Sequence, residues 1–127
     1  MQDHSDINIL LITKNTLLPE LISGFNYGID LFNGDLTSLS EINADIIIYD
    51  SFSYGIKPLE NKLWEDLMII ILDTYNEKFF ITNLVENRNR GYLLIDDFLD
   101  ELPLAIAQLI EGKSYLTEKL KCDLKPI

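Results

Sequence analysis

Five short apolar runs, separated by amphipathic stretches, constrain this 127-residue chain more than any other feature. The runs are Ile7–Ile12, a weaker Ile29–Phe32, the β-branched Ala44–Tyr49, Met68–Leu72 and Tyr92–Ile95. Apolar runs of this length between polar residues read as strands buried on both faces. The stretches between them have helical spacing. Leu17, Leu18, Leu21, Ile22 and Phe25 form one stripe, with Gly28 as its stop. Leu59, Leu63, Trp64 and Leu67 form a second, with Trp64 packed on the sheet, and Phe79, Phe80, Leu84 and Val85 form a third. Phe98, Leu99, Leu102, Ile106, Leu109 and Ile110 form the clearest, with Asp97 at its N-cap, Asp100 and Glu101 in its first turn and Gly112 closing it. A shorter helix is predicted from Ser114, carrying Leu116 and Leu120. The resulting βαβαβαβαβα order predicts a parallel sheet with helices on both faces and right-handed crossovers.

Function in such a fold sits at the carboxyl ends of the strands. That rule selects Thr13 and Lys14, Asp50 to Ser53, Asp73 and Thr74, and Ile95 to Asp97. Composition narrows what they can do. The net charge is −11, with only ten Lys and Arg, so a nucleic-acid surface is disfavoured. A lone cysteine, Cys122, makes no internal disulfide and points to a reducing compartment. The longest apolar runs fall far short of a membrane span, and the first residues lack the pattern of a signal peptide. A cytoplasmic location follows as the expectation. His4 is the single histidine, so a catalytic triad or histidine metal site is not expected. Gly24, Gly28 and Gly34 do not make a phosphate loop. No cofactor and no metal are expected.

Three pieces of the chain resemble the receiver domain of bacterial response regulators. Ala44–Asp50 resembles the third receiver strand, which ends in the phospho-acceptor aspartate. Gly91-Tyr92-Leu93-Leu94 resembles the fifth strand in LuxR-type regulators, and Gly112–Leu120 the end of their last helix. The match is closer to an atypical branch of biofilm-matrix regulators, typified by the curli regulator CsgD and the polysaccharide regulator VpsT. Leu10–Lys14, Ile95–Leu102 and Leu116–Leu120 carry that likeness. The resemblance implies a three-layer, flavodoxin- or CheY-like doubly wound α/β fold. Its parallel sheet would have five strands in the order 2-1-3-4-5, followed by an extra C-terminal helix. Residues 1–113 would form the receiver-like domain. Residues 114–127 would begin a linker toward a helix-turn-helix domain outside this sequence, so DNA would be met only through that domain.

The resemblance also places the site residues. Asp50 takes the phospho-acceptor position. Thr13 and Lys14 replace the acidic pair that helps a receiver bind Mg²⁺. The switch hydroxyl falls on Asp73, or on Thr74 with a shift of one residue, and Ile95 replaces the conserved lysine of the family. Most of the phosphorylation set is therefore missing. Two arrangements are open: Lys14 pairs directly with Asp50 and holds it ionised, or Asp50 caps a loop and Lys14 is solvated.

Tyr115, Leu116, Thr117 and Glu118 match the motif that binds cyclic di-GMP in the polysaccharide regulator. A carboxylate stands where that motif has arginine, so cyclic di-GMP binding is not expected. The resemblance implies a homodimer formed through the last helices, with Leu116 and Leu120, or through the fourth helix. The function implied is a non-enzymatic, phosphorylation-independent regulatory domain that mediates dimerisation. The alternatives are a working phospho-receiver on Asp50, a cyclic di-GMP-responsive module and a stand-alone partner-binding module.

Overall fold

In the computed structural model the described residues are 7–32, 44–55, 59, 64, 66–73 and 89–117. Each apolar run becomes a strand: β1 (Asn8–Ile12), β2 (Gly28–Leu31), β3 (Ile46–Asp50), β4 (Ile69–Asp73) and β5 (Arg90–Leu94). A sixth, β6 (Tyr115–Leu116), completes a sheet of order β2-β1-β3-β4-β5-β6. All five pairings are parallel. The order of the first five strands matches the expectation. The sheet has six strands rather than five, and Tyr115–Leu116 is a strand where a helix was predicted.

Alternate side chains of the central strands pack to opposite faces, as the pleat requires. Ile9, Leu11, Ile46, Ile48, Ile70, Leu72 and Leu93 face one way. Leu10, Ile12, Ile47, Tyr49, Ile69, Ile71 and Tyr92 face the other. The first face is covered by α1 (Leu18–Ile22) and α3 (Phe98–Ile110), through Leu18, Ile22, Phe98, Leu102, Ala105, Ile106 and Leu109. The second is covered by Trp64, with Tyr54, Leu59 and Leu67 around it. Trp64 is fully buried as expected and meets Tyr49 edge-on at a centroid separation of 5.8 Å.

The helices depart from their stripes in instructive ways. At five residues, α1 buries one row, Leu18 and Ile22, and leaves Leu17 and Leu21 exposed. Gly28 does not stop a helix; it opens β2, paired with Asn8. Asp97 stands at the N-cap of α3, but its carboxylate does not cap the helix; its carbonyl accepts the amides of Asp100 and Glu101. At the other end Gly112 adopts φ +83°. Its N–H donates to the Leu109 carbonyl at 2.9 Å, and the Lys113 N–H to Gln108 at 3.0 Å, a paired closure that favours glycine. Of the second predicted stripe Leu63 lies outside the described residues, and so does the whole helix predicted around Phe79–Val85.

Candidate functional site

The carboxyl ends of β1 and β3 bring Thr13, Lys14 and Asp50 together, and α2 (Ser51–Tyr54) starts directly after Asp50. This single helical turn follows from Asp50 itself. Its backbone is extended, and its Oδ1 accepts the Phe52 N–H at 3.0 Å, an aspartate N-cap. The other oxygen, Oδ2, accepts two hydroxyls at 2.7 Å, one from Thr13 Oγ1 and one from Ser53 Oγ. Each hydroxyl in turn accepts a backbone N–H. Asn15 donates to Thr13 Oγ1 at 2.9 Å, and Lys14 donates to Ser53 Oγ at 2.9 Å. The loop after β1 is thereby fastened to α2 through a ring of hydrogen bonds centred on a buried carboxylate. Asp50 is 7% exposed and Thr13 8%.

Lys14 does not pair with Asp50. Its ammonium lies 5.0 Å from the centroid of the Tyr54 ring, a cation–π contact at an exposed position. The ion pair found among the described residues is Lys113–Glu111 at 3.5 Å, on the surface. Of the two arrangements left open by the sequence, the structure has Asp50 capping a turn. The physical reason is that two hydroxyls and an amide already satisfy the carboxylate, so a strongly hydrated ammonium gains little by entering. Lys14 departs from simple solvation in resting on Tyr54.

A cleft of about 450 Å³ opens over this ring, lined by Lys14, Asn15, Asp50, Phe52, Ser53 and Ile95. The Phe52 ring is 75% exposed. Ile95 does line the cleft, so the position where the resemblance puts a lysine presents an apolar wall.

The residues present do not suit the Mg²⁺ of a working receiver. That ion takes oxygen ligands in near-octahedral geometry, usually with carboxylates. Asp50 here already accepts three hydrogen bonds. Among the described residues no group of three or more His, Cys, Asp or Glu is arranged to hold a metal.

Asp73 is buried at the end of β4 and accepts the hydroxyl of the fully buried Tyr92. It does not line the cleft with Asp50. Thr74, the alternative for the switch hydroxyl, lies outside the described residues, as do Glu118 and Leu120. Beneath the site, Tyr49 donates its hydroxyl to the Gly55 carbonyl at 2.6 Å. Burial, the Asp50 charge and Tyr54 push the Tyr49 phenol well above its ordinary value.

Tyr115 and Thr117 form a separate cluster. Both are buried, and both donate to one carboxylate: Tyr115 to Glu101 Oε1 at 2.7 Å, Thr117 to Glu101 Oε2 at 2.6 Å. Tyr115 therefore has no exposed ring face on which a guanine base could stack. Sequence reasoning did not single out Asn15, Tyr54 or the contact role of Glu101. An acidic residue in a first helical turn carries no mark of a partner fourteen residues away.

No family model matches the sequence, and no curated protein matches it. Solved structures do. The isolated receiver domain of RcsB from Salmonella enterica serovar Typhimurium, in its apo form, superposes with a TM-score of 0.73 at 19% identity, covering 95% of this chain and 100% of that one. The same domain with the phosphomimetic BeF₃⁻ gives 0.72 at 19%, covering 94% and 99%. A LuxR-family two-component response regulator from Aurantimonas sp. SI85-9A1 gives 0.73 at 19%, covering 92% and 94%. This chain has the receiver fold.

Proposed function

We propose that this chain is a receiver-type regulatory domain of a LuxR-family transcription regulator, one that signals without phosphorylation. The observation that carries this reading is the occupation of Asp50 Oδ2 by the Thr13 and Ser53 hydroxyls. An oxygen that accepts two hydrogen bonds is a poor nucleophile, and among the described residues no group of carboxylates is arranged to gather a divalent ion. At Ile95 the cleft wall is apolar, and the ammonium that lines it, that of Lys14, rests on the Tyr54 ring. In this reading the domain is a degenerate receiver of the biofilm-regulator kind. It is cytoplasmic and non-enzymatic, and its output passes through homodimerisation to a DNA-binding domain beyond these residues. Among the described residues no helix is long and apolar enough to cross a membrane.

The test is beryllofluoride with Mg²⁺, followed by amide chemical shifts around Asp50, alongside incubation with acetyl phosphate. The expected result is no saturable shift at Ser51 to Ser53 and no phosphoprotein. Saturable binding, or a phosphoryl group on Asp50, overturns the reading. The second reading, a working phospho-receiver, is favoured by one observation: Asp50 lines an open cleft at the end of the central strand. The same experiment decides between them.

A further inference from the structure

The sixth strand is too short to hold itself. It contributes two paired residues, Gly91↔Tyr115 and Tyr92↔Leu116, and the Thr117 N–H extends the ladder to the Tyr92 carbonyl at 3.0 Å. Isolated two-stranded pairings are marginal even when longer. What fastens this one is Glu101. Its two oxygens take the Tyr115 and Thr117 hydroxyls from the same side, one each. Hydrogen bonds to an ionised acceptor are roughly twice as strong as neutral ones. Both residues are buried, so removing the carboxylate takes the partner from two donors that regain one most easily by undocking into water.

We infer that Glu101 is a latch, and that Tyr115–Thr117 is a releasable strap which it docks as the edge strand of the sheet. The latch sits in the first turn of α3, with its own amide bonded to the Asp97 carbonyl at 3.3 Å. That turn follows Ile95, which lines the Asp50 cleft. The docking of Tyr115–Thr117 is therefore set by a side chain carried on the helix that follows a wall of the cleft. The inference stands on these contacts alone and does not rest on the proposed function.

The experiment is amide hydrogen exchange, followed by NMR on the whole chain, in Glu101→Ala, Tyr115→Phe and Thr117→Val. The reporter is the Thr117 N–H, and the reference is Ile48 in the central strand. In Glu101→Ala, Thr117 is expected to exchange at least about tenfold faster, the factor for losing one hydrogen bond to a charged group. Ile48 is expected to hold its rate. Tyr115→Phe and Thr117→Val remove one hydroxyl each, and each is expected to give a smaller rise at Thr117 alone. They carry the test if Glu101→Ala does not fold. An unchanged Thr117 rate, or equal acceleration of Thr117 and Ile48, overturns the latch.

Discussion

Thr13 looks like a loss when set beside the acidic residue a working receiver has at that position. In the structure it supplies one of the hydroxyls that stabilise Asp50. Thr13→Val keeps the shape and removes the donor. It is expected to lower stability by about 1.5–3 kcal/mol, the usual range for a hydrogen bond to a charged group, read from denaturant midpoints. Lys14→Met is expected to change stability by less than about 0.5 kcal/mol and to leave its salt dependence unaltered, since no ion pair is lost. Tyr49 gives the pH dependence. Its phenol titrates well above the ordinary 10.0 in the folded protein. Below pH 10 both states hold the proton and stability is insensitive to it. Above pH 10 the unfolded chain releases the proton first, so stability falls as pH rises. Tyr49→Phe is expected to flatten that alkaline fall in thermal melts taken from pH 9 to 11.

At the scale of the element, the strands were legible because runs such as Ala44–Tyr49 and Met68–Leu72 are apolar on both faces, which few other structures tolerate. The site was legible to the same depth: strand ends locate Thr13, Lys14, Asp50 and Ile95 without any side-chain geometry. What Lys14 touches was not legible. Asp50 and Tyr54 are both within the reach of a long flexible side chain, and only the local geometry decides. β6 was not legible either, because two residues cannot display a period. In the fold Tyr115 packs to one face and Leu116 to the other, the alternation of a strand. Nor did the stripe of α3 register Pro103, which lies inside the helix and removes the amide that would bond to Leu99. Pro103 is exposed, so Pro103→Ala is expected to raise stability by roughly 2 kcal/mol, the helix-interior cost of proline less its entropic benefit. Gly112→Ala is expected to lower it by about 1 kcal/mol, because φ there is +83°. Calorimetric melting temperatures check both.

For the whole molecule, the question is what meets the apolar surface that remains. Leu17 at the N-cap of α1, Leu21 on α1, and Leu104 and Ile110 on α3 are 46–61% exposed, and both helices cover the same face of the sheet. Exposed apolar patches mark association surfaces, and two-fold dimers are the commonest oligomers. Light scattering at micromolar concentration is expected to give the mass of a dimer. Leu104→Asp combined with Ile110→Asp is expected to give a monomer with little change in melting temperature, since neither side chain is in the core.

The strap of β6 bears on solubility as well. β5 is Arg90-Gly91-Tyr92-Leu93-Leu94, mostly buried, and an apolar strand left open at a sheet edge is a template for other chains. β6 covers that edge with two residues of the same chain. A chain shortened to end at Ser114 is therefore expected to polymerise edge to edge on concentration, and a thioflavin signal growing with time would record it. Two hydroxyls on one carboxylate hold that cover in place.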